Sequence, residues 1–314
     1  MILLENISPN FRIADTTEIE LLKQEVIEDI FEEKYETENQ DFIKLINTYT
    51  SYRDDTPLKD LILKIDNYIQ SNPFPEKWLT EKIEMFKLKN KEEDFSKTPW
   101  GKILLKELEE EIIDDISILE KVAIGLEREP ELEKFYQTIR NDLDELEGLK
   151  KSLNNWDKAY KIGKEIKFVT WPRQKIESEI KEKAKEIRDE VKKKLTKILD
   201  KILIYDSKEA NQDIIDMYPI LVKLQNIILE FNEEFSKRKR EKNIVDFSDI
   251  EHFALQILLK SKEIAKKYQE KYEEIAIDEY QDSNLVQETI LTTISRGNNI
   301  FMVGDVKQSI YKFR

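Results

Sequence analysis

Cysteine is absent from the 314 residues, and histidine occurs once. The first absence excludes disulfides, thiol catalysis and cysteine-ligated metals, and it fits a reducing compartment. The second excludes a metal site built from several histidines. Glycine (6) and proline (8) are scarce for this length, and so few breakers argue for long helices over most of the chain. Long apolar runs are missing as well: Ile2-Leu3-Leu4 stops at Glu5, too short for a signal peptide, and no run approaches a membrane span. The expectation is a soluble, cytoplasmic protein. Positive charge is in deficit, with 52 basic against 66 acidic residues and a formal net charge of −14. Phosphate is therefore repelled overall, and any nucleic-acid contact must come from local basic patches.

What the chain does have is Lys, Glu, Ile and Leu, with 39% hydrophobic and 38% charged residues. That mixture predicts long amphipathic helices, and the length suits about two domains at roughly 150 residues each. Asp15-Thr16-Thr17-Glu18 predicts a capped helix start in which Asp15 takes up free amides and Glu18 reaches back. Thr56-Pro57 starts another helix, and Ser71 to Pro75 breaks the chain with two prolines. Helices are predicted over about Lys102–Glu127, Pro130–Leu153, Gln174–Ile204 and Pro219–Lys239. In the third, Ile176, Ile180, Ile187, Val191, Leu195, Ile198 and Ile202 form a coiled-coil-like seam.

The character changes near Asn243. Asp246 and Asp249 suit a helix cap, and the neighbouring His252 reads as structural. Glu274-Ile275-Ala276-Ile277-Asp278 then reads as a short buried strand ending in acids, Leu285–Ile294 as a helix and Ile300-Phe301-Met302-Val303 as a second buried strand. Strand, helix and strand at this spacing form a βαβ unit of a parallel sheet. Ligands in such sheets bind beyond the carboxyl ends of the strands. Asp278-Glu279 stands at one of those ends and Gly304-Asp305 at the other.

Ile277-Asp278-Glu279-Tyr280-Gln281-Asp282 has the form of a Walker B segment. Nucleotide hydrolysis asks for two adjacent acids at a strand end, one for magnesium and one to orient and deprotonate water. Asp278 is the candidate metal residue and Glu279 the candidate base.

Together with Gly304-Asp305-Val306-Lys307-Gln308-Ser309-Ile310-Tyr311-Lys312-Phe313-Arg314, this segment resembles motifs II and III of superfamily 1A DNA helicases of the UvrD/Rep/RecB group. Within that group the chain looks like the AddA family of helicase–nuclease subunits. The residues carrying that likeness are Pro9 to Asp15, Arg53-Asp54-Asp55, Asn72 to Trp78, Asp246 to His252 and Gly304 to Gln308. The resemblance implies ATP and Mg2+ as cofactors, a γ-phosphate sensor at Gln308, and single-strand contacts at Tyr311, Phe313 and Arg314. It also implies a role in double-strand-break repair and recombination, an exonuclease elsewhere in the parent protein, and an AddB-like partner. The implied fold is mostly α, with a long-helix accessory (1B) domain over residues 1–242. Part of a RecA-like α/β parallel-sheet motor (1A) would follow over residues 243–314.

The chain also departs from the pattern. Gly101-Lys102 and Gly163-Lys164 lack the second glycine and the hydroxyl of a Gly-x-x-x-x-Gly-Lys-Ser/Thr loop, so no row of amides cradles phosphate. The expectation is an internal fragment, inactive alone. A nuclease-free UvrD/Rep-type helicase and a helical interaction protein with a decayed motor remnant are the alternatives. One basic stretch stands out: Lys158 to Lys175 holds six cations against one acid, with Tyr160, Phe168 and Trp171 interleaved. Its Lys-Phe-Val-Thr-Trp-Pro run reads as a loop or short strand, and Lys161, Lys164, Lys167 and Arg173 are candidate contacts to duplex DNA. Lys237 to Arg240 reads as a solvated helix end.

Overall fold

The computed structural model describes residues 10–50 and 54–305. The chain is mostly helical and divides into two units, residues up to Glu84 with Tyr218 onward, and Met85–Met217. In chain order the elements of the first unit are β1 (Arg12–Ile13), α1 (Thr16–Glu36), α2 (Gln40–Tyr49), α3 (Thr56–Ile69) and α4 (Pro75–Glu84). The second unit follows with α5 (Pro99–Glu127), α6 (Glu133–Ser152), α7 (Trp156–Glu165) and α8 (Glu179–Ile202). Helix α9 (Ser207–Glu241) carries the chain back to the first unit. There it continues through β2 (Ile244–Val245), α10 (Phe247–Lys260), α11 (Lys262–Lys271), β3 (Ile275–Ile277), α12 (Leu285–Thr293) and β4 (Ile300–Met302).

This division differs from the expected boundary near residue 242, and packing gives the reason. Val26 and Ile27 of α1, Leu58 and Ile62 of α3, and Ile228 and Phe231 of α9 are fully buried in one core that also includes Ile244. The start of the chain pairs directly with the segment after α9. Arg12 and Ile13 lie parallel to Ile244 and Val245, and Ala14 donates its N–H to the Val245 carbonyl at 3.0 Å. Asn243 turns the chain into β2 with φ 52°, a left-handed conformation that asparagine tolerates better than most residues, and its amide donates to the Asn10 carbonyl at 2.8 Å.

Capping follows the sequence closely, with one exchange of partners. Asp15 accepts the Glu18 N–H at 2.9 Å, but Glu18 turns to Arg12 (2.5–2.6 Å) and not back to the cap. Helix α9 starts twelve residues before Pro219, which lies inside it. Asp206 supports the early start by accepting the Glu209 N–H at 2.9 Å.

The second unit is built on α5, α6 and α8, whose Leu108, Ile112, Leu119, Phe135, Ile139, Leu146 and Leu195 are fully buried. Helix α8 begins at Glu179, later than expected, because Ser178 caps it by accepting the Lys181 N–H. Its seam runs through Ala184, Arg188, Val191, Leu195, Leu199 and Ile202, while Ile180 is exposed. Residues 166–178 form an extended strap on this bundle, with Ile166, Phe168, Trp171 and Ile176 packed against its core.

Candidate functional site

Strands β3 and β4 are parallel, with Ile275, Ala276 and Ile277 opposite Ile300, Phe301 and Met302. The ladder continues one step further: Val303 donates to the Ile277 carbonyl and Tyr280 to the Val303 carbonyl, both at 2.9 Å. Both acid-bearing strand ends therefore lie side by side, as the βαβ reading requires. The strands are less buried than expected: Ala276 is exposed and Phe301 is 68% exposed. Among the described residues this sheet has two strands, and a pair that narrow leaves much of its surface uncovered.

Asp278 is exposed just past β3, and its Oδ1 accepts the Glu279 N–H at 2.9 Å. Glu279 sits at φ 52°, ψ 40°. A non-glycine residue there costs about 1–3 kcal/mol and persists only where its surroundings fix it. Gln281 supplies one such fixture. It lies in the 3-10 turn Tyr280–Asp282, is 7% exposed, and donates Nε2–H to the Glu279 carboxylate. Its Oε1 accepts the Asp305 N–H at 2.9 Å. Gly304 makes this approach possible, because a Cβ there would fall 2.6 Å from Gln281 Oε1 and 3.1 Å from its backbone nitrogen. The neighbouring Asp282 Oδ1 is buried without a hydrogen-bond partner among the described residues.

Helix α12 locks the far side of the turn. Asn284 and Gln287 form a reciprocal capping box, and both amides donate to Glu251 of α10, at 3.3 and 2.7 Å. Helix α10 is itself held at its start. Asp246 and Asp249 form the expected capping box, and Lys239 reaches both carboxylates at 2.8 and 2.7 Å. Lys239 is 6% exposed, so the run Lys237 to Arg240 is more than a solvated helix end. Arg238 likewise pairs with Glu25, Asp29 and Glu234. His252 Nε2 lies 3.0 Å from the Gln70 carbonyl, a structural contact as expected.

Carboxylate oxygens at an exposed strand end suit magnesium, which takes one or two protein carboxylates and completes its shell with water and phosphate oxygens. Such a site needs no dedicated protein cage, and among the described residues there is no cluster of three or more metal-binding side chains. Gln308, Tyr311, Phe313 and Arg314 lie outside the described residues.

The basic stretch is divided between two elements. Lys161 and Lys164 are exposed on α7, and Lys167 and Arg173 are exposed on the strap. The interleaved aromatics face the bundle: Trp171 packs on Phe135 at 5.1 Å, and Arg188 lies over its ring at 5.4 Å. Lys192 covers Phe168 at 5.3 Å. The strap thus lies along the helices instead of standing at a tip, because its apolar residues find the core there. Sequence reasoning missed two parts of these sites, the amide bridge of Gln281 and Arg188, which lies over Trp171 of the strap and donates to the Val169 carbonyl. A glutamine inside a Walker B segment marks the first position without disclosing its role, and nothing in the sequence sets Arg188 apart from the charged outer face of α8.

No helix among the described residues is long and apolar enough to cross a membrane. Residues 132–314 match the UvrD/REP helicase N-terminal domain. The chain is 39% identical to an ATP-dependent helicase/nuclease subunit from Acetivibrio thermocellus, over 98% of this chain and 26% of the relative. It is 40% identical to the protein of the same name from Alkaliphilus oremlandii and 38% identical to that from Clostridioides difficile, with the same coverage in both. The chain therefore spans about a quarter of the length of the curated relatives it matches.

Proposed function

The chain belongs to the UvrD/REP helicase family, and from that premise we propose that it is part of an AddA-like, ATP-driven DNA helicase–nuclease that works in double-strand-break repair. The observation that carries this reading is that β3, which leads into Asp278-Glu279, and β4, which leads into Gly304-Asp305, are paired in parallel with their carboxyl ends side by side. In this reading Asp278 holds Mg2+ and Glu279 orients and deprotonates the attacking water. Magnesium supplies charge neutralisation at the β- and γ-phosphates when ATP is bound. Gln308 contacts the γ-phosphate, while Tyr311, Phe313 and Arg314 meet the single strand. Base stacking on such aromatics is sequence-tolerant and worth about 1–3 kcal/mol per base. The accessory domain corresponds to Met85–Met217, and the motor to the unit holding β3 and β4. Duplex DNA is met by Lys161, Lys164, Lys167 and Arg173, and an AddB-like protein is the partner.

In the full-length protein, Glu279→Gln is expected to abolish hydrolysis while ATP still binds, since the base acts on water and not on ground-state phosphate. Asp278→Asn is expected to weaken magnesium-dependent binding instead. Normal turnover in both variants would refute the site. The 314 residues by themselves lack the phosphate loop and are expected to hydrolyse no more ATP than their own Glu279→Gln variant.

A further inference from the structure

Gln281 makes one amide do two things at once. Its oxygen faces the backbone N–H of Asp305, at the end of β4. Its nitrogen faces the carboxylate of Glu279. The orientation of the amide is chemically fixed, because a backbone N–H only donates and a carboxylate only accepts. The side chain is almost fully buried, and Gly304 closes over it with no room for a Cβ. Glutamate could keep the bond to Asp305 but would set a second negative charge against Glu279. Leucine could fill the space but make neither bond. Asparagine is one methylene short of spanning the two partners.

The chain runs from Asp305 straight into Val306–Arg314, the segment read above as meeting γ-phosphate and single strand. We propose that Gln281 is a positioning residue that ties the Glu279 carboxylate to the strand end from which the DNA-reading segment departs. This rests on the reading of Glu279 as the base. With Gln281 in place, a shift of the β4 end on binding DNA is passed to the carboxylate through two hydrogen bonds. Without it, the β4 end and Glu279 lose this direct link.

The test uses the full-length protein and two variants, Gln281→Leu and Gln281→Glu. ATP turnover is measured with and without single-stranded DNA, together with ATP affinity and backbone hydrogen exchange over residues 303–305. Losing a hydrogen bond to a charged group predicts a fall of about 10- to 100-fold in DNA-stimulated kcat for both variants. KM for ATP should stay within about threefold. Exchange should rise in Gln281→Leu, which removes the Gln281 acceptor of the Asp305 N–H, and stay near wild type in Gln281→Glu, which keeps an acceptor there. That separation matters, because a residue that merely braced the strand end would leave Gln281→Glu active. Wild-type kcat in a folded Gln281→Glu protein would overturn the proposal, even if Gln281→Leu fails to fold. Glu279→Gln separates the two claims. If it is inactive while the Gln281 variants turn over normally, only the positioning role fails; if it is active, the base assignment fails first.

Discussion

Arg188 of α8 and Asp142 of α6 form a two-pronged ion pair inside the second unit, with side chains 2% and 1% exposed. The same guanidinium donates to the Val169 carbonyl at 2.7 Å, so one buried cation joins two helices and the strap. Removing one partner of a buried pair leaves an uncompensated charge and costs about 3–5 kcal/mol, whereas replacing both by apolar groups is often close to neutral. Arg188→Met is therefore expected to lower the urea midpoint sharply. Adding Asp142→Leu should restore most of the loss. Limited proteolysis should show new cleavage within residues 166–178 in the single variant, because the strap loses its anchor.

Asp115 of α5 makes a second electrostatic test, of opposite sign. It is fully buried, and neither carboxylate oxygen has a hydrogen-bond partner among the described residues. Burial pushes its pKa from 3.8 up to about 6, against the pull of Lys194 and with the help of Glu111 and Asp114. Between those two values the native protein holds a proton that the unfolded chain has lost. Stability therefore falls as pH rises through that window, and the cost remains above it. Asp115→Asn should stabilise the protein by about 1–3 kcal/mol at pH 7.5 and give little benefit below pH 4. Equal midpoint shifts in urea at the two pH values would contradict this.

These two clusters show where sequence reading stops. The apolar spacing predicted the long helices, because burial of Leu and Ile at threes and fours leaves one face inward. It could not place Arg188 in the α8 seam, since a charged residue there is indistinguishable from outer face until Asp142 is seen opposite it. The unit boundary was illegible for a similar reason. The pairing of Arg12-Ile13 with Ile244-Val245 joins segments 232 residues apart, and two-residue strands carry no periodicity. The position of the adjacent acids Asp278 and Glu279 at the end of β3 was legible because they directly follow an apolar run. The bridge through Gln281 was not, because it depends on how closely Gly304 approaches.

Gly304→Ala probes that approach directly. The new methyl would sit 2.6 Å from Gln281 Oε1, well inside van der Waals contact, and the buried amide has little room to retreat. The strand end must shift, taking the Asp305 N–H off its acceptor. In the full-length protein, ATP turnover should fall at least about tenfold, by loss of the positioned carboxylate. Global stability should change by no more than about 1–2 kcal/mol, since the clash is confined to a turn. Turnover at the wild-type rate would mean that the strand end and Gln281 move independently.

The basic stretch gives the last prediction. Lys158 to Lys175 carries net charge +6 − 1 = +5 in a chain of net −14. Its aromatics are turned to the bundle and Lys161, Lys164, Lys167 and Arg173 to solvent. Burial of Phe168 and Trp171 explains why the strap lies where it does, but it leaves the exposed cations unexplained. In the proposed reading, phosphate contacts account for them, since such contacts need charge and reach but no base-specific geometry. They also follow salt steeply, with log K falling by about 0.9 per neutralised phosphate for each log unit of salt. Replacing all four residues by Glu in the full-length protein should weaken duplex binding equally across sequences. The salt slope should flatten by about three to four units if every one of them meets a phosphate. ATP turnover driven by a short single strand should stay close to wild type, because none of the four lies in the unit that holds Asp278 and Glu279. An unchanged salt slope in a folded variant would leave these cations as ordinary surface charge.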